Sequence, residues 1–286
     1  MPASRPSERS GAASRAVDPL TRCAIAALAA VCAVAVIQAW LPYGGAAEIG
    51  FRGSLASPSS GWALLGTDQL GRAMIPRLLE GTAVTLGIAV PSAIVAAAIA
   101  ALVACLTAAA GGWFDLAVCR IADLLFTFPS VLLALLLVSI IGPGNAGAVA
   151  SIMLIVSPQV FRIVRARALE IAPREFVSSA RVSGASARRI ALVHILPNAS
   201  GTIIVQTTFA IIVAMLVESS LSFLGLGVTP PTASLGSLVH DGLPYLTAQP
   251  WLTFEPAAVL ALIIFSINIV GDWARDHLEV RQVVAL

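Results

Sequence analysis

A run of 34 uncharged positions between Glu80 and Asp115 restricts the fold of this chain more than any other feature of its sequence. A helix needs about 20 apolar residues to cross the hydrocarbon core of a bilayer, and this run exceeds that length. Over all 286 residues, 58% are hydrophobic and 11% are charged, whereas soluble domains carry about 25% charged residues. The composition therefore indicates a membrane protein.

Apolar runs recur along the chain and predict an all-α, polytopic membrane protein with six transmembrane helices. The first run, Cys23 to Leu41, has 19 residues without a charge and follows a basic tail. A cleaved signal peptide is the alternative for this run, although its length and the later runs favour a retained helix. The six predicted spans are 23–41, 83–108, 124–141, 146–164, 199–217 and 254–271.

Small residues recur at every fourth position of the second predicted span, which places them on one face of a helix. Such a face lets two helix backbones approach closely within a membrane. An alanine-rich composition without a packing role is the alternative interpretation. The residues are Ser92, Ala96, Ala100, Ala104 and Ala108.

The distribution of arginine predicts the orientation, since all 17 basic residues are arginine. With six spans, 14 of them lie on one side, and the other three are Arg52, Arg72 and Arg77. Because cytoplasmic loops carry an excess of basic residues, we expect both termini in the cytoplasm. The predicted division is a cytoplasmic tail (1–22), a first transmembrane helix (23–41), an extracytoplasmic loop (42–80), a transmembrane core (81–278) and a cytoplasmic tail (279–286).

We find no motif for catalysis, cofactor binding or metal binding in the sequence, and we predict a chain that is not an enzyme. A P-loop requires a lysine that reaches the phosphates of ATP, and this chain has no lysine. If the protein works with ATP and Mg²⁺, the nucleotide site therefore lies on another subunit. The cysteines lack Cys-x-x-Cys spacing and are interpreted as small hydrophobic residues. They are Cys23, Cys32, Cys105 and Cys119.

An arginine-rich segment separates the fourth and fifth predicted spans. It holds seven arginines between Arg162 and His194. Each arginine at the bilayer centre would cost about 2.5–3.5 kcal/mol, so the segment is predicted to be cytoplasmic. A solvated loop, or a loop held to anionic lipid head groups, remains an alternative on composition alone.

Two short helices are predicted within this segment. Pro173 suits the first turn of a helix, and Glu175 suits its positive N-terminal end. Gly184 lies in a stretch that can end this helix, and Ser186 is a suitable N-cap for a second helix. We expect the second helix to stop at Pro197, so that the two helices form a compact projection from the membrane.

The order of residues here resembles the cytoplasmic loop of binding-protein-dependent ABC transporter permeases, in particular the C-type subunit of the dipeptide, oligopeptide and nickel family. That loop has the pattern Glu-Ala-Ala, three residues, Gly, nine residues, then Ile-x-Leu-Pro. The matching residues are Ser178-Ser179-Ala180, Gly184 and His194-Ile195-Leu196-Pro197. Ser178 stands where the family has glutamate, so a salt bridge made by that glutamate is not expected here.

Four further stretches resemble the same family in the same order, and the resemblance covers about residues 60–278. They are Leu65-Gly66-Thr67-Asp68-Gln69-Leu70-Gly71-Arg72, Gly111-Gly112-Trp113-Phe114-Asp115, Leu221-Ser222-Phe223-Leu224-Gly225-Leu226-Gly227 with Pro230-Pro231, and Asn268 with Gly271-Asp272 and Arg275-Asp276. Departures from the pattern occur at Ala73, Leu235 and Glu279-Val280.

The resemblance implies the type I ABC importer permease fold, with a coupling-helix loop at 162–197, in a bacterial plasma (inner) membrane. It implies half of the translocation path of an ATP-driven importer for dipeptides or oligopeptides. The implied partners are a second permease subunit in a heterodimer, two ATPase subunits that hold ATP and Mg²⁺, an extracytoplasmic solute-binding protein and the lipid bilayer, with no nucleic acid. Import of nickel or another small solute is an alternative, and an ion-coupled secondary transporter is a more distant one.

The predicted site residues form two sets. The predicted ATPase-coupling residues are Glu175, Phe176, Ser179, Ala180, Arg181, Gly184, Ala185, Arg188, His194 and Pro197. Val177 is expected to join Phe176 as an apolar anchor for the partner. Asp123 and Glu218 are the candidate pore or gate residues, because carboxylates in spans are often functional. Asp68 and Arg72 are four residues apart and would pair if their segment were helical.

Overall fold

A computed structural model describes residues 19–37, Leu55 and residues 64–284, and these ranges are almost entirely helical. The α-helices are α1 (Pro19–Ile37), α2 (Met74–Ala110), α3 (Gly112–Thr127), α4 (Ser130–Ile141), α5 (Asn145–Ile171), α6 (Glu175–Val182), α7 (Ala187–Arg189), α8 (Leu196–Asn198), α9 (Ser200–Phe223), α10 (Leu235–Gly242) and α11 (Trp251–Val284). A π-helix, Ile190–Ile195, joins α7 to α8. The predicted all-α membrane fold is confirmed.

Four helices are long and apolar enough to cross a membrane: α2, α5, α9 and the Trp251–Asp276 part of α11. The pair α3 and α4 gives a fifth crossing if it forms one broken span. Helix α1 covers the first predicted span up to Ile37, and positions 38–41 lie outside the described residues. Most of the predicted tail (1–22) and loop (42–80) also lies outside them.

The third predicted span, 124–141, is wrong as a single straight helix. The chain leaves the helical conformation at Phe128 and Pro129, and α3 and α4 meet there at an angle of 97°. Proline lacks the backbone N–H that continues a helix, and it disfavours the helical conformation of the residue before it. The dipeptide Phe128-Pro129 therefore ends α3, although the apolar run continues through it.

Two helices extend beyond the predicted spans because their charges have partners. Helix α2 begins at Met74 rather than at residue 83, and it includes Arg77, which is buried beside carboxylates. Helix α5 continues to Ile171 rather than ending at residue 164, and its Arg165 is paired with Asp115. A charge that has a partner can remain within a helix, so a charged residue does not by itself mark the end of the helix.

Helix α2 lies at the centre of the described bundle and packs against α5 and α9. The predicted row of small residues lies in this contact. Ser92, Ala96, Ala100 and Ala104 are at most 5% exposed, and Ala108 is half-buried. Alanines of the adjacent row, such as Ala93 and Ala97, are also completely buried, so small side chains line a broad face of α2.

Replacing Ala96 by leucine is expected to destabilise the bundle by about 1–3 kcal/mol, because extra methylene groups in a closely packed site force the neighbouring helices apart. Thermal unfolding of the purified protein in detergent measures the effect. Val95→Leu is the matched control, since Val95 is 47% exposed on the same helix. Equal unfolding temperatures for the two variants would contradict close packing along α2.

Candidate functional site

The segment between α5 and α9 (residues 172–199, the α5–α9 segment) folds as two helical pieces joined at a glycine. Helix α6 has Glu175 in its first turn and begins two residues after Pro173, so Pro173 precedes the first turn. Gly184 has a φ of +83°, a conformation that glycine adopts readily. The side chain of Ser186 accepts a hydrogen bond from the Arg189 N–H at 3.4 Å, and this confirms the predicted N-cap.

The second helical piece does not stop at Pro197, and that prediction is wrong. The chain passes from α7 through the π-helix Ile190–Ile195 into α8, which contains Pro197, and then into α9. Pro197 lies in the first two positions of α8, where its missing N–H does not interrupt a helical hydrogen bond. The wider π-helical turn thus allows the chain to continue towards α9 despite the proline.

One face of the α5–α9 segment is buried against the bundle. Val177, Ile190 and Ile195 are at most 2% exposed, and the π-helix packs against α2. The guanidinium of Arg181 also donates a hydrogen bond to the Ala109 carbonyl oxygen near the end of α2, at 3.4 Å. The expectation that Val177 anchors a partner is therefore wrong, because its side chain is already buried within its own chain.

The opposite face of the segment is exposed. Among the predicted ATPase-coupling residues, the exposed ones are Glu175, Phe176, Ser179, Arg181, Gly184, Arg188 and Pro197, and the half-buried ones are Ala180, Ala185 and His194. The rings of Phe176 and His194 lie 6.3 Å apart between centroids, which joins α6 to the π-helix. None of the predicted coupling residues is therefore fully buried in this chain.

Val182 is an exposed residue of this surface that sequence reasoning missed. Its side chain is 91% exposed in the last turn of α6, just before the glycine bend. An apolar residue among arginines and serines at the end of a short amphipathic helix was the available signal. An isolated exposed valine is common on protein surfaces, so this signal was weak without the structure.

Two arginine–aspartate pairs brace this end of the bundle. Arg165 contacts both carboxylate oxygens of Asp115, at 2.6 and 2.5 Å, and ties α5 to α3. Such bidentate pairs fix orientation as well as distance. Arg162 binds Asp123 at 2.7 Å and lies over the Phe126 ring at 4.4 Å, with both charged side chains more than half exposed. Asp123, a candidate pore residue, is thus held by an arginine.

Two apolar cavities lie between the spanning helices. One of about 390 Å³ is bordered by α2, α3, α4 and α5, and one of about 210 Å³ by α4, α5 and α9. Neither Asp123 nor Glu218 lines them. Glu218 is instead completely buried in α9, where it accepts a hydrogen bond from the Ser222 hydroxyl at 2.8 Å. Within the described residues, no group of three or more His, Cys, Asp or Glu side chains could hold a metal ion.

A helical membrane bundle with an exposed arginine-bearing segment at one end defines this chain as a transport permease. Residues 93–284 match the family described as the binding-protein-dependent transport system inner membrane component, and the chain belongs to this family. The match spans the bundle from α2 onwards and includes the whole α5–α9 segment.

Individual relatives carry peptide-transport names. The chain is 37% identical over 252 residues to a protein of Brucella suis biovar 1 (strain 1330) named as a peptide permease. This match covers 87% of this chain and 82% of the relative. It is 36% identical over 214 residues to the oligopeptide transport system permease protein OppC of Bacillus subtilis (strain 168), which covers 75% of this chain and 70% of OppC.

A solved structure has the same fold. A chain of the MetNI methionine ABC transporter in an inward-facing conformation superimposes with a TM-score of 0.58 at 20% sequence identity. The match covers 72% of this chain and 97% of that chain. The predicted ABC importer permease fold is therefore confirmed, whereas this likeness carries no information about cargo.

The two arginine–aspartate pairs are expected to differ in their effect on stability. Arg165→Gln removes a bidentate contact between half-buried groups and should cost about 1.5–3 kcal/mol. Arg162→Gln removes an exposed pair and should cost about 0–1 kcal/mol. Thermal unfolding in detergent at constant salt compares them, and a larger loss for Arg162→Gln would contradict this assignment.

Proposed function

We propose that this chain is the transmembrane permease subunit of an ATP-driven ABC importer for dipeptides or oligopeptides. The observation that carries the proposal is the two-sided α5–α9 segment. One side is fixed to α2 through Ile190 and Ile195, and the other exposes Arg181, Val182 and Arg188. The family membership and the peptide-transport names of the relatives support the same function.

The exposed side of the segment has the chemistry of a docking surface for an ATPase subunit. The small side chains of Ser179 and Gly184 allow close approach of another backbone, and Arg181 and Arg188 can form bidentate pairs with carboxylates. Val182 offers an apolar side chain that gains stability when a partner removes it from water. Because the other side is packed on α2, a shift of the bound ATPase subunit would move the spanning helices.

The remaining subunits follow from this function. Two ATPase subunits would hold ATP and Mg²⁺, a second permease subunit would complete the translocation path, and a solute-binding protein would deliver the cargo from outside. The α5–α9 segment then faces the cytoplasm, together with both termini. Helix α10 lies at the opposite end of the bundle, on the extracytoplasmic side.

The surroundings of the two candidate pore carboxylates favour ATP-driven over ion-coupled transport. Asp123 is paired with Arg162, and the carboxylate oxygens of Glu218 accept hydrogen bonds from serine hydroxyl groups. An ion-coupled carrier needs a carboxylate that exchanges its ion during transport. Asp123 joins two helices through Arg162, and Glu218 accepts hydrogen bonds within its own helix, so neither is free to exchange an ion, which favours an energy source on a separate ATPase.

Replacing Val182 by aspartate tests the docking surface directly. We expect loss of copurifying ATPase subunit and at least a tenfold fall in ATP-driven uptake, because a carboxylate replaces the exposed apolar contact. Thermal unfolding of the isolated chain should remain unchanged, since this side chain is 91% exposed. Val182→Ile is the matched control and should retain uptake. Normal uptake by the aspartate variant would contradict the docking role.

Cargo is tested by uptake in a strain that lacks the transporter and receives the complete set of subunits. Labelled dipeptides and oligopeptides are expected to accumulate in an ATP-dependent manner, whereas labelled nickel should remain at the level of the empty strain. Accumulation of nickel without peptide would assign the alternative cargo within the same family. Transport by the purified chain alone in liposomes would contradict the permease-subunit assignment.

A further inference from the structure

Helix α10 lies against the N-terminal part of α2 and is attached to it at both ends. At its N-terminus, the Leu235 N–H donates a hydrogen bond to the Thr85 hydroxyl oxygen at 3.1 Å. At its C-terminus, the Asp241 carboxylate lies 3.7 Å from the Arg77 guanidinium. Thr85 and Arg77 are about 12 Å apart along α2, which is the length of an eight-residue helix. Helix α10 therefore runs antiparallel to α2 and matches the length of its Arg77–Thr85 stretch.

Gly81 makes this close approach possible. It lies midway between Arg77 and Thr85, and a Cβ atom at this position would lie 3.1 Å from the Ser234 carbonyl carbon and from the Leu238 side chain. Leu235 and Leu238 are at most 3% exposed and fill the space on either side. Apolar packing thus holds the middle of α10, and polar contacts hold its ends.

Arg77 joins four parts of the chain at the C-terminal end of α10. It is 3% exposed, and its guanidinium donates a hydrogen bond to the Pro231 carbonyl oxygen at 3.1 Å. Its other neighbours are the carboxylates of Asp68 at 3.7 Å, Glu80 at 3.9 Å and Asp241 at 3.7 Å. The Asp241 side chain is 36% exposed, and its partial burial raises the pKa of this carboxylate.

The segment before α2 orients Asp68 towards Arg77. One Asp68 oxygen accepts hydrogen bonds from the N–H groups of Leu70 and Arg72, both at 2.9 Å. The other oxygen accepts from the Arg72 guanidinium at 2.6 Å. The predicted Asp68–Arg72 pair is therefore present, although it closes a turn and not a helix. Arg77 is thereby held between a rigid turn on one side and α10 on the other.

Glu218 lies near the N-terminal end of α10, just as Arg77 lies near its C-terminal end. Its oxygens accept hydrogen bonds from Ser222 at 2.8 Å and from Ser219 at 3.3 Å. The side chains of Thr85 and Ser234 also lie close to this carboxylate. A hydroxyl has one proton to donate, so donation to Glu218 turns the lone pairs of its oxygen towards other donors.

Those lone pairs bind backbone N–H groups in and before α10. Ser222 accepts from the Val228 N–H at 3.3 Å, and Thr85 accepts from the Leu235 N–H at 3.1 Å. Ser234 accepts from the Ser237 N–H at 3.3 Å. Glu218 therefore orients the Ser222 hydroxyl directly and lies beside Thr85 and Ser234, and these three side chains hold the backbone in and before the start of α10.

Helix α2 connects α10 with the α5–α9 segment. It is continuous from Met74 to Ala110, and its 37 residues span about 55 Å. Arg77 and Thr85 hold α10 near its first residues, while Ala109 and the buried π-helix contact its last residues. The same helix thus touches the proposed docking segment at one end and α10 at the other.

We propose that Arg77 and Glu218 are positioning residues that fix α10 to α2, so that α10 moves with α2 when an ATPase subunit moves the α5–α9 segment. This inference rests on the proposed function. In this proposal, neither Arg77 nor Glu218 contacts the cargo. Their role is to convert movement at the docking segment into movement of a short helix at the other end of the bundle.

The test measures the accessibility of α10 in the assembled transporter in liposomes. Leu243 follows α10 and is 40% exposed, so Leu243→Cys provides a site for N-ethylmaleimide after the four native cysteines are replaced by serine. Trapping the ATP-bound state is expected to change its labelling rate at least threefold. Adding Arg77→Gln should abolish this dependence on ATP, while the ATPase subunit still copurifies and still hydrolyses ATP.

Three comparisons distinguish positioning from a general structural defect. Arg77→Lys keeps the charge and should restore at least half of the ATP-dependent change, and Ile140→Val, at a 73% exposed position of α4, should leave it intact. If Arg77→Gln does not fold, Asp241→Asn is tested in its place. This variant removes only a partly exposed partner of Arg77, and it should reduce the ATP-dependent change in labelling rate at least twofold. An undiminished change in Arg77→Gln or in Asp241→Asn, or no change in the parent transporter, overturns the inference. Absence of a copurifying ATPase from the parent overturns the proposed function instead.

Discussion

Close packing of small side chains along α2 is the constraint on which the rest of this structure depends. Within a bilayer, helices gain little from the hydrophobic effect on association, so they rely on close contact between backbones. The buried alanines of α2 provide this contact with α5 and α9. Because the contact runs along most of the helix, α2 has a fixed orientation. It therefore positions the elements that are attached at its two ends.

The two ends of α2 use different chemistry for their attachments. At one end, apolar residues such as Ile190 and Ile195 bury one side of the docking segment and leave arginines on the other. At the other end, Arg77 and Glu218 hold α10 through charges and hydroxyls. The close-packed apolar contact can pass a displacement of the docking segment to α2. Directed hydrogen bonds at the other end fix the register of α10 on α2.

Local signals made the helical composition and the docking segment predictable from the sequence, since a glycine bend and the Ser186 N-cap depend on neighbouring residues only. The early start of α2 was not predictable, because Arg77 is tolerated there through Asp241, which lies 164 positions further along the chain. The burial of Val177 likewise depends on where the segment packs. The break at Pro129 was visible in the sequence, but the apolar run around it favoured a continuous helix.

The corner between α3 and α4 has a consequence for the surroundings of this chain. A helix end leaves backbone groups without intrahelical partners, and α4 begins at Ser130 without a side-chain cap. Hydrocarbon cannot solvate such groups, so non-helical backbone in a membrane is tolerated only against protein or water. Phe128 and Val131 are more than half exposed at this corner. The corner therefore belongs to a hydrated or protein-covered side of the molecule, and lipid tails must contact the bundle elsewhere.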